Sequence, residues 1–203
     1  LRLTATARYA DSKLDIDGFP APLYQFADTA EFQETRQFSG RAGLAGDLGQ
    51  LSFDAGYAVS DTRREYFDPA FGNDPSFATK GRSHRAELRG QYRISDAWQL
   101  DFGADHEWSR YETSFDAQKS ARLASGHALL GWHGSGLNLT AGARINDHSR
   151  FGSKATFGAN GSIDVSDNWR LRASWGQGFK VPTLYQLFSN YGNVALVPET
   201  STS

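Results

Sequence analysis

The sequence predicts an all-β fold, an antiparallel transmembrane β-barrel, with these 203 residues supplying part of its wall. Three observations predict it. Apolar and polar residues alternate over unusually long stretches, two very short turns carry the same Ser-Asp-x-Trp pattern, and short and long connections alternate along the chain.

The turns are RISDAWQL (residues 93–100) and DVSDNWRL (residues 164–171). Ser and Asp bond back to nearby backbone and favour tight turns. The Trp that follows opens the next strand on its apolar face, where an amphipathic ring suits a membrane–water boundary.

Nine stretches show a period of two. Those at 1–10, 36–46 and 121–132 are the weaker ones. In the third, Leu51, Phe53, Ala55, Tyr57 and Val59 share one face. In the fourth, Ala86, Leu88, Tyr92 and Ile94 oppose Arg85, Glu87, Arg89 and Arg93. In the fifth, Trp98, Leu100, Phe102, His106 and Trp108 oppose Asp101, Asp105 and Glu107. Three more follow, along Leu137 to Ile145, Ala155 to Val165 and Trp169 to Trp175. A soluble sandwich strand alternates in the same way, but it usually runs about 5 to 6 residues, whereas a tilted membrane-crossing strand needs about 9 to 11. Short connections fall at 46–49, 95–97, 133–136 and 166–168. Longer ones fall at 11–35, 61–80, 112–119, 147–150 and 179–197. Outer-membrane barrels segregate connections in this way, with short periplasmic turns and long extracellular loops.

Composition agrees. Mean hydropathy is −0.54, and no run approaches the apolar length of a transmembrane helix. A barrel strand shows lipid only every second residue, so its average hydropathy stays low. A net charge of −2 argues against a nucleic-acid partner. Cysteine is absent, which removes disulfides, thiol nucleophiles and cysteine metal sites. Methionine is absent even at position 1, and the chain opens directly on an alternating stretch, so it reads as an internal portion of a larger protein.

No enzyme is expected. The five histidines, His84, His106, His127, His133 and His148, are scattered. Only His106 has carboxylates beside it, and strand neighbours Asp105 and Glu107 point to the opposite face. Arg85, Glu87, Arg89, Arg93, Asp101, Asp105, Glu107, Arg144, Arg170 and Arg172 would project into a lumen. That lumen could be water-filled or could hold a folded plug that pairs with these charges. In the first long connection, Asp11, Asp15, Asp17 and Asp28 offer hard oxygen ligands in a bent Gly/Pro segment. Taken alone, a DxDG string is more often a solvated turn, and the later ligands of an EF-hand are missing.

The stretch ARINDHSRFGSKATFGANGSIDVSDNWRLRASWGQGFKVPTLYQLFSNYGNVALVPETS, residues 143–201, resembles TonB-dependent outer-membrane receptors, particularly the vitamin B12 (cobalamin) transporters. The resemblance rests on R-x-x-D, FG, the Trp-marked turn, GFKxPTLxQLF, YGN and a PE-S strand start, in that order. It implies an outer-membrane location and energy-coupled uptake of cobalamin or a related corrinoid. A siderophore receptor of the same superfamily is the alternative, and a passive porin a further one. It also implies a barrel of about 22 strands, to which this chain would contribute about nine or ten. The plug domain, TonB box and C-terminal strand would lie outside residues 1–203, with the TonB complex as inner-membrane partner and outer-membrane lipids around the wall. By the same resemblance, Asp17 and Asp28 would hold a calcium ion that orders the loop, with Asp11 and Asp15 as weaker candidates. Substrate would be read by the loops at 11–35, 61–80 and 179–197.

Overall fold

The computed structural model describes residues 1–203 as one ten-stranded antiparallel sheet in which every strand pairs with its sequence neighbours. The strands are β1 (Arg2–Gly18), β2 (Ala27–Leu48), β3 (Leu51–Phe67), β4 (Phe77–Arg93), β5 (Trp98–Thr113), β6 (Lys119–Gly134), β7 (Leu137–His148), β8 (Gly152–Ser166), β9 (Trp169–Lys180) and β10 (Glu199–Thr202). A single short helix, α1 (Leu184–Phe188), interrupts the last connection. No helix is long and apolar enough to cross a membrane. This is the β-barrel wall expected from the alternation.

The tight turns follow their local chemistry. Ser95 Oγ accepts from the backbone of Ala97 at 3.3 Å and of Trp98 at 3.2 Å, closing the first Ser-Asp-x-Trp turn. The second closes between Ser166 and Trp169, with a register shift after Asp164. Between β6 and β7, Ser135 and Gly136 both take positive φ, the conformation that matches a two-residue hairpin to strand twist.

Register separates two faces across the whole sheet. On one, Trp98 lies opposite Trp132 and Tyr92 opposite Leu100 at the short-turn end. Tyr9 lies opposite Phe38, and His84 opposite Trp108, nearer the long-loop end. Leu44, Ala55, Leu88, Ala104 and Ala128 fill the band between. These apolar side chains are largely exposed, and Leu187 of α1 is the one buried apolar side chain. In water such a surface would drive association; against lipid it is the face a barrel presents. The other face carries Arg41, Asp54, Glu87, Asp105 and Arg144, and becomes the lumen wall.

All five predicted long connections shrink, the first two markedly. The 11–35 connection is a hairpin whose strands run to Gly18 and from Ala27, leaving 19–26 as loop. The 61–80 connection leaves only 68–76. The last connection runs over 181–198 and contains α1. The strands continue as polar hairpins past the bilayer, where lipid no longer imposes an apolar face and the sequence signal fades.

Candidate functional site

All long connections emerge at one end of the sheet, opposite the Trp98 and Trp169 turns, so the candidate site is this outer mouth. Its best-formed part is the segment between β9 and β10. Thr183 caps α1 reciprocally with Gln186: its hydroxyl accepts from Gln186 N at 3.2 Å, while Gln186 Oε1 accepts from Thr183 N at 2.9 Å. Leu187 is buried, and Tyr185 meets Tyr111 of β5 edge-on, at 5.9 Å between ring centroids. Arg150, in the β7–β8 turn, holds the segment from the side. Its guanidinium donates to Val194 O at 2.8 Å and lies 5.3 Å from the Phe188 ring.

Between this segment and the lumen wall lies a cavity of about 610 Å³, lined among others by Glu107, Tyr111, His148, Arg150, Tyr185 and Phe188. The Tyr111 hydroxyl is buried with no hydrogen-bond partner in the protein. It stands beyond the Trp108 row, outside the apolar band, and burial, with Asp116 nearby, pushes it up to about 12. It is therefore a neutral donor at any physiological pH, free for a guest. At the outer end of β7, burial and the neighbouring Arg150 hold the His148 imidazole below its ordinary value. Its Nδ1 accepts from Arg150 N at 3.1 Å, which fits a neutral ring. The mouth thus joins aromatic rings, a cation and an unused hydroxyl, a combination that can hold an anionic, partly aromatic guest.

The four predicted acidic residues all lie on the β1–β2 hairpin at the same end. Asp11 sits on β1 with Arg36 at 3.7 Å, and Asp15 pairs in register with Phe32. Asp17 occupies the irregularity between Ile16 and Gly18, and Gly18 pairs with Ala27 beside Asp28. The hairpin therefore brings Asp17 and Asp28 onto adjoining strands near its tip. Thr29 Oγ1 donates to Ile16 O at 3.0 Å and fastens that tip. No group of three or more His, Asp or Glu side chains converges as a metal-holding cluster, so these two carboxylates offer part of the six to eight oxygens that calcium takes.

On the lumen face, parity places the predicted charges as expected. Asp105 joins Arg144 at 3.0 Å and Arg85 at 3.4 Å, and Arg41 joins Glu87 at 3.0 Å as well as Asp54. His106 faces the other way and stacks on Trp108 at 4.1 Å, apart from both flanking carboxylates. Tyr111, Arg150 and Tyr185 were not singled out from the sequence. A Thr-x-x-Gln capping box after a proline, T183 to Q186, is the signal that could have revealed α1.

The family model described as TonB dependent receptor-like, beta-barrel, matches residues 1–203. Among solved structures, the siderophore receptor PirA from Pseudomonas aeruginosa is 19% identical with a TM-score of 0.73, covering 86% of this chain and 36% of that one. The FrpB iron transporter from Neisseria meningitidis is 14% identical with a TM-score of 0.71, covering 86% and 34%. The siderophore receptor PirA from Acinetobacter baumannii is 16% identical with a TM-score of 0.67, covering 90% and 33%. At these identities the likeness is one of fold, and the chain spans about a third of each structure.

Proposed function

Because the chain belongs to the TonB-dependent receptor β-barrel family, whose members are outer-membrane transport receptors, we propose that the protein it forms part of takes up a ferric siderophore through its outer mouth. The observation that carries this reading is the α1 cavity. An iron chelate is large, anionic and often aromatic, and this mouth offers Tyr111, Tyr185 and Phe188 as stacking surfaces with Arg150 as the cation. The fold shared with siderophore and iron receptors adds support. Capture would be followed by passage through the lumen, driven by TonB from the inner membrane. Energy coupling comes from family membership and not from any residue of this segment.

The test is titration of the full-length receptor with a ferric tris-catecholate, followed by tyrosine fluorescence quenching. Tyr111→Phe removes a hydroxyl that has no partner within the protein, so folding should be unchanged while affinity falls by roughly 5- to 10-fold, the loss of one hydrogen bond. Identical affinity in Tyr111→Phe would remove the cavity from the account.

A second reading is cobalamin, favoured by the placement of Asp17 and Asp28 on adjoining strands of one hairpin. Two carboxylates there repel each other, and a divalent cation between them would rigidify the tip and lower the entropy cost of holding a large ligand. On this reading calcium raises cobalamin affinity in the intact receptor, and Asp17→Ala with Asp28→Ala abolishes the dependence. Equal cobalamin affinity with calcium and with chelator would dismiss it.

A further inference from the structure

The turn between β7 and β8 closes on a histidine ring. His148 is 6% exposed, and its Nδ1 accepts from the backbone N of Arg150 at 3.1 Å. A backbone N–H can only donate, so Nδ1 is bare and the single ring proton sits on Nε2. The Arg150 side chain that follows this bond clamps the last connection, through Val194 O at 2.8 Å and the Phe188 ring at 5.3 Å. The 181–198 connection carries no carboxylate and no histidine; its titratable side chains are Tyr185 and Tyr191. Around the His148 ring, free cations outnumber free anions. Arg150 follows it in the turn, Lys119 of β6 lies 5.4 Å from the same Phe188 ring, and Lys154 of β8 shares the lumen-facing side. Arg122 of β6 faces the other way and meets the turn through its backbone, which exchanges hydrogen bonds with Ser149. Glu107 of β5 lies in the same cross-strand row, but Ser109 donates to it at 2.8 Å and Arg85 stands 3.9 Å away. Asp147, on the opposite face of β7, accepts from Ser153 at 2.6 Å. The Tyr111 hydroxyl across the cavity is neutral.

We propose that His148 is a proton-operated latch on the mouth: neutral, it shapes the β7–β8 turn so that Arg150 holds the 181–198 segment in place, and protonated, it releases that hold. The second proton can go only to Nδ1, where it meets the Arg150 N–H head-on. One hydrogen bond is lost, two donors confront each other, and the new positive charge repels the guanidinium beside it. The turn must then rearrange, and Arg150 leaves Val194 and Phe188. The Thr183 cap and the buried Leu187 keep α1 on the wall, so the stretch after the helix is the part set free. The held state binds one proton fewer than the released state, so it is favoured as pH rises. Burial and Arg150 disfavour the charged ring, which places the release on the acid side of the ordinary histidine value of 6.5. The carboxylates nearby stay ionised through that window, so the response belongs to one ring.

The experiment is hydrogen exchange of the full-length receptor in detergent, read by mass spectrometry on peptides from 181–198. Exchange is compared at about pH 7.5 and about pH 5.0, a span in which histidine is the side chain that changes charge, with labelling times scaled to equal intrinsic exchange. The reporting amides are Gly192, which donates to Ser189 O, Asn193, which donates to Gln186 O, and Leu196, which donates to Asn193 O. In the wild type they should exchange roughly tenfold faster at the lower pH, the loss of one charge-assisted hydrogen bond. His148→Asn keeps an oxygen acceptor near the place of Nδ1 but cannot take up a proton, and should exchange slowly at both values. Arg150→Ala removes the exposed clamp itself and should exchange fast at both. Equal wild-type exchange at the two values would overturn the proposal, as would a pH response that survives in His148→Asn. Should the Asn variant fail to fold, a pH response that persists in Arg150→Ala overturns it as well. No siderophore enters the experiment, so its outcome is independent of the uptake reading above.

Discussion

Asp105 holds two guanidinium groups at once, Arg144 at 3.0 Å and Arg85 at 3.4 Å, with only 10% of its own side chain exposed. Replacing it by Ala leaves Arg144 without a carboxylate and Arg85 with only the looser Glu87 and Glu107, each at 3.9 Å; both cations are more than a third exposed, so water takes up part of the cost. Asp105→Ala should therefore destabilise the receptor by about 1–2 kcal/mol, below the figure for a fully buried pair. Urea titration of the purified receptor, with tryptophan emission as the signal, measures it. Gly142 makes a second prediction at this scale. A Cβ there would meet Ala128 O at 2.3 Å and Leu129 Cα at 2.8 Å, backbone atoms that no rotamer change can move. Gly142→Ala should lower the melting temperature clearly, while Gly81→Ala, which has nothing within 4 Å, should leave it nearly unchanged. Parity alone assigned Arg85, Glu87 and Asp105 to the lumen face. Which charge pairs with which depends on register, and register is set by turns whose lengths the alternation leaves open by a residue or two.

At the scale of elements, the sequence located nine strands and the beginning of a tenth, and those strands are present. Their inner ends were legible because Ser95, Trp98 and Trp169 mark tight turns at the membrane boundary. Their outer ends were not. β1 continues through Asp11 and Asp15, and β2 begins at Ala27, because antiparallel pairing needs only backbone partners once the chain leaves lipid. The α1 segment was missed for a different reason. Five residues are too few to display a helical period, and its stability comes from a cap and from packing on β5 and β6. That origin can be tested. Thr183→Ala removes one cap, worth about 1 kcal/mol, and Leu187→Ala removes the one buried apolar anchor. Both should increase limited proteolysis within 181–198 in the full receptor without altering its heat-modifiable migration. Unchanged cleavage would mean that α1 is held by something other than these contacts.

For the molecule as a whole, two faces of one sheet serve two solvents. The apolar side meets lipid, and the charged side faces the lumen. The loops are gathered at the mouth opposite the short turns. The sequence made this architecture and its membrane side readable because bilayer thickness fixes strand length and aromatic placement. It left the substrate unread, since loop side chains answer to the ligand and to no general periodicity. Family membership and the mouth together make the central claim one of active uptake, not passive diffusion. The most direct measurement is accumulation of a radiolabelled ferric catecholate by cells producing the full receptor, with TonB present or deleted. The account predicts accumulation above the external concentration only with both the receptor and TonB, collapsing when the proton gradient is discharged. Equal entry with and without TonB would contradict it and leave a passive pore.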